Sequence, residues 1–185
     1  MKNNKVLFVP DFREGNPYQV LLASHLNKLR VDIDYDQFPN KLFPLLSLAR
    51  KHKNINVIHL HWIVEIIQRT QWSNNKITFY IKALLIIIDC YLTRLQGTKL
   101  VWTIHNKMAH EQLNSQKELF IRRCLAKSVS RIIVHSKEAL NIINKLYKFD
   151  ISSKTDIIFH GNYIGSYPEP SANRTSLKQQ MNIES

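Results

Sequence analysis

Apolar positions follow two different spacings along this chain of 185 residues. Short apolar runs rich in β-branched residues predict strands, and longer runs with apolar residues three and four positions apart predict helices. Because the two kinds of run alternate, we expect an α/β fold with a single Rossmann-like, doubly wound, mainly parallel sheet. The predicted strands are residues 5–10, 31–35, 56–62, 100–104, 131–135 and 155–159, and the predicted helices are residues 18–29, 42–50, 76–95, 115–127 and 136–147.

The length fits one domain with a core that needs neither a metal nor a disulfide. We expect this domain to span residues 1–168, and residues 169–185, which are polar, to begin a linker. Cys90 and Cys124 are expected to be free thiols of a reducing compartment. The N-terminus lacks the apolar run of a signal peptide, so a cytoplasmic location is expected.

Polar groups follow several of the predicted strands. Because the carboxyl ends of parallel strands meet at one edge, where ligands bind in open α/β sheets, these groups are expected to converge. Histidines at three separate strand ends are a stronger signal than any one alone, since core packing does not require them. The candidates are Asp11, Arg13, Glu14 and Gly15 after the first strand, His59 and His61 in the third, His105 and Asn106 after the fourth, and His160, Gly161 and Asn162 after the last.

Each histidine also has a structural interpretation. His59 is expected to be a hydrogen-bonded core residue, with His61 as the exposed member of the pair. His135 precedes Ser136, a predicted helix cap, and is expected to be structural. His25 and His52 are expected to lie on helix surfaces. His110 and Glu111 could simply form the exposed entrance to the next helix.

The sequence motifs of several enzyme classes are missing from the chain. No HExxH or paired CxxC is present, which argues against a metal site, and no metal or other cofactor is predicted. Neither GxGxxG nor GxxxxGK[ST] follows the first strand, which argues against a nicotinamide dehydrogenase and a P-loop NTPase. A GxSxG nucleophile elbow is also missing.

The net charge of +12 favours anionic partners: nucleic acid, acidic lipid or phosphate-bearing substrates. Aromatic residues are not interleaved with Arg and Lys along any one strand, so nucleic acid is the less favoured partner. The apolar run 77–92 contains Lys82 and Asp89 and is too short to span a bilayer. We expect a largely buried helix with one face touching lipid, and peripheral attachment to an anionic inner membrane surface.

The ordered segments resemble the N-terminal half of GT-B glycosyltransferases, of the kind grouped with the family 4 retaining enzymes of bacterial polysaccharide synthesis. The segments are DFREGNPYQVLLASHL, NVIHLHWI, KLVWTIHNKMAHE, RIIVHSKEA and IIFHGNYIGSYP, which cover the chain to about residue 168. The resemblance implies two Rossmann-like domains that face a cleft. The N-terminal domain would bind the acceptor, a glycan or a lipid-linked sugar, and the C-terminal domain would bind the nucleotide-sugar donor.

The resemblance also implies roles for individual residues. His105 matches the cleft histidine beside the donor sugar and is the expected catalytic residue, with Asn106 next to it. Gly15, with Arg13 and Asn16, matches the loop that approaches the donor phosphates and the acceptor. The remaining expected substrate-binding residues are His61, His110, Glu111, His160, Gly161 and Asn162.

In enzymes of this kind the donor-binding domain follows the linker, and residues 1–185 do not contain a match to it. The chain is therefore expected to be a truncated product, an excised domain or one subunit of a split enzyme, with little activity alone. The alternative is a non-catalytic, basic Rossmann-like module that binds nucleic acid or another anionic ligand.

Overall fold

A computed structural model of the protein describes residues 4–14, 16–71, 75–106 and 115–163. Its centre is a six-stranded sheet in which every neighbouring pair of strands is parallel. The predicted α/β fold with a parallel, Rossmann-like sheet is confirmed. The strands are β1 (Asn4–Val9), β2 (Val31–Tyr35), β3 (Val57–Leu60), β4 (Lys99–Thr103), β5 (Arg131–Val134) and β6 (Thr155–Ile157).

The strand order is β2-β1-β3-β4-β5-β6, so the direction of winding reverses between β1 and β3. The crevice beyond the carboxyl ends of the strands at such a reversal is the usual ligand site of open α/β sheets. The register holds these ends level: Leu60 of β3 pairs with Trp102 of β4, and Trp102 pairs with Ile132 of β5. Residues that follow different strands are therefore neighbours at this edge.

The described α-helices form two unequal layers. Helix α4 packs against α2, α3 and α5, and Arg123 of α5 donates a hydrogen bond to the Leu146 carbonyl of α6. Helix α1 lies over the other face, where its Leu26 shares a cavity with Val57 and Val101. The helices are α1 (Tyr18–Lys28), α2 (Pro44–Lys51), α3 (Val64–Gln71), α4 (Lys76–Leu95), α5 (Ser115–Ser128) and α6 (Lys137–Tyr147).

The main core lies between the sheet and the layer of α2 to α6. Alternate strand residues, which point to the same face of a sheet, fill this core and are fully buried. They include Leu7, Ile58, Leu60, Leu100, Trp102, Ile132 and Val134. This layer fixes the strand positions and hence the edge at which the polar residues gather.

Several helix starts have side-chain caps. The hydroxyl of Ser136 accepts a hydrogen bond from the Ala139 amide, which confirms the predicted cap of α6. The side chain of Asn16, just before Pro17, accepts a hydrogen bond from the Tyr18 amide at 2.9 Å. Helix α2 has a remote cap, because the Asp89 carboxylate on α4 accepts hydrogen bonds from the Leu45 and Leu46 amides at 2.8 and 2.9 Å.

Two predictions about helices are wrong. Helix α3 was not predicted, because Val64, Ile66 and Ile67 are too few apolar residues, in too short a segment, to show a helical spacing. Helix α4 is not largely buried: one side packs on the core through Phe79, Ala83 and Cys90, and the opposite side is exposed. The exposed apolar residues of α4 are Ile77, Tyr80, Ile81, Leu84, Tyr91 and Leu95, called the α4 stripe below.

No helix among the described residues is long and apolar enough to cross a membrane. Cys90 is buried and Cys124 is partly buried, and both are free thiols, as predicted. The proposed linker, residues 169–185, lies outside the described residues.

Candidate functional site

Four histidines stand side by side along the carboxyl edge of the sheet. His61 follows β3, His105 follows β4, His135 follows β5 and His160 follows β6; they are called the histidine row below. The ring centroids of successive members are 6.0, 5.3 and 4.9 Å apart. The predicted convergence of strand-end histidines is therefore present in the structure.

Tyr18, the first residue of α1, lies against the whole row. Its ring centroid is 5.6 Å from that of His61, 4.8 Å from His105, 6.1 Å from His135 and 5.2 Å from His160. Burial raises the pKa of Tyr18 to about 12, so its hydroxyl stays protonated at neutral pH. The sequence reasoning missed Tyr18, whose only signal was its position just after the loop that follows β1.

His59 of β3 lies next to His61, with ring centroids 4.1 Å apart, and is paired with the neighbouring strand. The Thr103 hydroxyl of β4 is 2.7 Å from Nε2 of His59. His59 is buried and hydrogen-bonded, as predicted. Its pKa is lowered to about 3, first by burial and then by the nearby His105, so the imidazole is uncharged at neutral pH.

The prediction that His61 is exposed is wrong. His61 is 1% exposed and packs between His59, Phe8 and Tyr18. Neither of its ring nitrogens has a hydrogen-bond partner among the described residues. His61 lies just past the end of β3 on the same face as His59, and Tyr18 and His105 cover it there. Burial holds the pKa of His61 well below its ordinary value.

His105, the expected catalytic residue, lies in the middle of the row. The Trp62 ring stacks on it with centroids 4.8 Å apart and an interplanar angle of 13°, and Phe12 of the loop after β1 also packs against Trp62. Burial and the neighbouring His135 and His160 lower the pKa of His105 to about 3. The ring is therefore uncharged at neutral pH and restrained in orientation.

A buried ion pair supports the backbone beside His105. Arg122 of α5 contacts Glu118 at 2.7 Å, and Nη1 of Arg122 donates a hydrogen bond to the Asn106 carbonyl at 3.2 Å. Both side chains are almost completely buried. The sequence reasoning missed this support, because an Arg and a Glu four residues apart on a helix usually form an exposed pair.

The other predicted site residues are distributed unevenly. Arg13 forms an ion pair with Asp11 and lies over the Tyr35 ring at 3.9 Å; none of its described contacts joins it to the histidine row. The Asn16 side chain is used at the start of α1. Asn106 is exposed beside His105. Gly15, His110 and Glu111 lie outside the described residues.

A cavity of about 470 Å³ opens beside the row. Tyr18, His135 and His160 provide polar groups, and Ile158 and Phe159 provide apolar surface. The predicted residues Gly161 and Asn162 also line this cavity. His135, expected to be structural, is thus a site residue: its Nδ1 bonds to the Ile158 carbonyl at 2.9 Å, and its ring faces the row.

The site offers neutral hydrogen-bonding groups and aromatic surface. Neutral imidazoles and the phenol can each donate and accept hydrogen bonds, and stacked rings contribute apolar contact area. His61 and His105 carry little positive charge at neutral pH, because burial lowers the pKa of both. Among the described residues, His105, His135 and His160 are the group that could hold a metal ion.

The fold is also found in known structures. No protein-family model and no curated protein sequence matches the chain. Two crystal structures of Anabaena Alr3699/HepE are similar, one in complex with UDP-glucose and one with UDP and glucose. Their TM-scores are 0.54 and 0.52 at 14% and 13% sequence identity, and each match covers 97% of this chain and 50% of HepE. The chain is therefore similar in fold to HepE and spans about half of its length.

Proposed function

We propose that this chain is the acceptor-binding half of a glycosyltransferase, which transfers a sugar from a nucleotide-sugar to a glycan or a lipid-linked acceptor. The observation that carries the proposal is the histidine row beside a cavity at the carboxyl edge of the sheet. The similarity in fold to about half of HepE, which binds UDP-glucose, supports it further. A site built on one such edge provides one wall of a cleft between two domains.

His105 is the proposed catalytic residue. An uncharged imidazole can accept or donate one hydrogen bond to a sugar hydroxyl, and the stacked Trp62 ring limits the orientations available to it. Its contribution would be to orient the donor sugar and to stabilise charge that develops as the diphosphate leaves. The resemblance to retaining enzymes favours transfer with retention of configuration.

The cavity beside the row is the proposed acceptor site. Its volume of about 470 Å³ falls within the range of roughly 300–1,000 Å³ typical of small-molecule sites. Tyr18, His135 and His160 could bind sugar hydroxyls, whereas Ile158 and Phe159 offer apolar surface to a lipid or other aglycone. An acceptor with a polar head and an apolar portion fits both parts.

The nucleotide-sugar donor would be held mainly by a second domain, encoded on the same polypeptide or on a separate subunit. The test is to express the chain together with the neighbouring reading frames and to screen nucleotide-sugars for transfer. With an active pair, His105→Ala should lower turnover by about 100-fold or more, the scale seen when one preorganised hydrogen-bond donor is removed.

The matched control is His52→Ala, because His52 contacts Asp34 and Asp36 and lies outside both the row and the cavity. It should leave turnover within about twofold of the unchanged protein. Near-normal turnover of His105→Ala would refute the catalytic role. Tight, salt-sensitive binding of oligonucleotides without any sugar transfer would favour the non-catalytic binding module instead.

We propose also that the α4 stripe binds an anionic membrane surface. The stripe presents six exposed apolar side chains, two of them tyrosines, which suit the boundary between headgroups and acyl chains. Exposed Lys76 and Arg94 lie near its two ends, and the chain carries a net charge of +12. An anionic lipid surface complements both properties, and it would bring a lipid-linked acceptor to the site.

Sedimentation with vesicles containing anionic phosphatidylglycerol tests this attachment. We expect binding at low salt that weakens as salt rises, and at least a tenfold loss for the double variant Ile81→Glu, Leu84→Glu. The control is Val20→Glu, which changes an exposed apolar residue of α1. Absence of binding at low salt, or equal binding of both variants, would contradict the proposal.

A further inference from the structure

We infer that His105, His135 and His160 form a binding site for a divalent transition-metal ion, such as Zn²⁺ or Co²⁺. One nitrogen atom from each of the three rings lies within 4.8 Å of the other two. The three residues follow β4, β5 and β6, so the parallel register brings them together. No spacing motif is needed for such a site, because each ligand comes from a different strand.

His135 is oriented as a metal ligand would be. Its Nδ1 lies 2.9 Å from the Ile158 carbonyl, and since a carbonyl only accepts, Nδ1 must carry the proton. The lone pair is then on Nε2, which is buried and has no hydrogen-bond partner among the described residues. Histidine ligands of metal ions usually have this arrangement, with the other ring N–H donated to a carbonyl or carboxylate.

His105 supplies a second ligand atom of the same kind. Its Nε2 is buried and has no hydrogen-bond partner in the described part of the chain. The stacked Trp62 ring holds the imidazole in place. A buried nitrogen without a hydrogen-bond partner is available to coordinate an ion.

His160 completes the group and is its adjustable member. It is exposed, with Nδ1 2.8 Å from the Gly161 carbonyl and Nε2 3.1 Å from the Tyr163 hydroxyl. Tetrahedral zinc with bonds of about 2.1 Å needs ligand nitrogens roughly 3.4 Å apart, less than the present spread. Rotation of the exposed His160 side chain can bring its nitrogen closer, while the two more buried rings stay fixed.

The ligand type selects the ion. Imidazole nitrogens suit Zn²⁺, Co²⁺, Ni²⁺ and Cu²⁺, whereas Mg²⁺ and Ca²⁺ require mainly oxygen ligands. Three protein ligands leave one tetrahedral position for an outside ligand. His135 and His160 also line the cavity of about 470 Å³, so a small anion or a hydroxyl group could reach that position. This inference does not require the proposed glycosyltransferase function, although both give a role to His105, His135 and His160.

The experiment uses the full chain without a histidine tag, titrated with Co²⁺ and followed by visible absorption. We expect the intense bands of four-coordinate Co²⁺ to saturate at one equivalent and to disappear when Zn²⁺ is added. His135→Ala should weaken Co²⁺ binding at least tenfold, because it removes one of three protein ligands. The matched control His52→Ala, which changes a histidine outside the row and its cavity, should leave the titration unchanged.

Circular dichroism establishes that each variant is folded. If His135→Ala does not fold, His160→Ala provides the same comparison at an exposed position, where a loss of folding is not expected. Weak, octahedral-type absorption alone, or a titration that neither variant alters, would overturn the inference. The titration does not depend on sugar transfer, so failure of this site and failure of the proposed function are distinguishable.

Discussion

Two regions that contain histidines lie at different strands of the sheet, one beside β2 and one along β3 to β6, and their histidines have different partners. On the β2 side, His52 is 3.3 Å from the Asp34 carboxylate and 2.7 Å from the Asp36 carboxylate. Lys5 and Lys51 pair with the same two aspartates, and these five residues are called the His52 network. In the histidine row, by contrast, the rings pack mainly against one another, Tyr18 and Trp62.

The difference separates a structural histidine from candidate functional ones. In the His52 network every charge has an opposite charge in contact. Hydrogen bonds from Lys5 and His52 lower the pKa of Asp34 even though burial acts in the opposite direction. In the row, His61, His105 and His135 have buried nitrogens without partners among the described residues. Such groups reduce stability, and a ligand that pairs with them would recover that loss.

The largest expected effect concerns the support beneath the row. Arg122→Leu would remove the buried ion pair between Arg122 and Glu118 and the hydrogen bond to the Asn106 carbonyl. We expect the free energy of unfolding, measured with urea, to fall by about 3–5 kcal/mol. The double variant Arg122→Leu, Glu118→Leu should recover part of the loss, since it removes both buried charges.

The control for the buried pair is an ion pair at the surface, between Arg131 and Asp156. Arg131→Ala removes the partner of Asp156 at the surface, where an ion pair contributes at most about 1 kcal/mol. If Arg122→Leu lowers the free energy of unfolding no more than Arg131→Ala does, the row does not depend on the buried ion pair.

The second prediction concerns Asp89, which is buried like the row but paired with two backbone amides. Burial raises its pKa from 3.8 to about 6, against the opposing effect of the hydrogen bonds from Leu46 and Leu45. Between pH 4 and 6 the folded state therefore binds more protons than the unfolded state. The stabilisation is present below pH 4 and is lost as the pH rises through 6.

The measurement compares the unchanged protein with Asp89→Asn by urea unfolding at pH 4 and pH 7. On going to pH 7 the unchanged protein should lose up to about 3 kcal/mol relative to the variant, from a pKa change of about two units. A difference that grows in the opposite direction would show that the two amide hydrogen bonds outweigh burial.

The smallest expected effect is the difference in stability between one variant of the histidine row and one variant of the His52 network. His61→Leu replaces a buried ring whose nitrogens lack partners among the described residues, so the free energy of unfolding should stay constant or rise by about 1 kcal/mol. His52→Leu removes a ring that contacts the carboxylates of both Asp34 and Asp36. The free energy of unfolding should fall by about 1 kcal/mol. Thermal unfolding of the two variants side by side reports the sign, and the reverse order would contradict the distinction.

The fold followed from local patterns in the sequence. The alternation of apolar runs was enough to predict the α/β class and the parallel sheet. The cap at Ser136 was predictable because it depends only on neighbouring residues. Helix α3 was missed because only Ile66 and Ile67 carry its apolar face. The exposed side of α4 was missed because hydrophobicity alone does not show which face a neighbour covers.

The site was predictable only in part. Strand-end positions indicated His105 and His160, because parallel strands end at one edge. His135 was assigned to structure from its place before a cap, and nothing local could show that its ring joins the row. Tyr18 and Arg122 reach the site through contacts with residues distant in the sequence, and that packing is fixed only by the complete fold. His61 was expected to be exposed because nothing in the local sequence showed that Tyr18 covers it.

The Arg122 guanidinium directly connects α5 to the backbone at the carboxyl edge of the sheet. Along the chain, α5 begins nine residues after Asn106, but the hydrogen bond to the Asn106 carbonyl joins them directly. Because Glu118 fixes the guanidinium within α5, a small displacement of this helix would be passed to the backbone beside His105. Substitutions along α5 that touch no ligand should therefore alter the properties of the site.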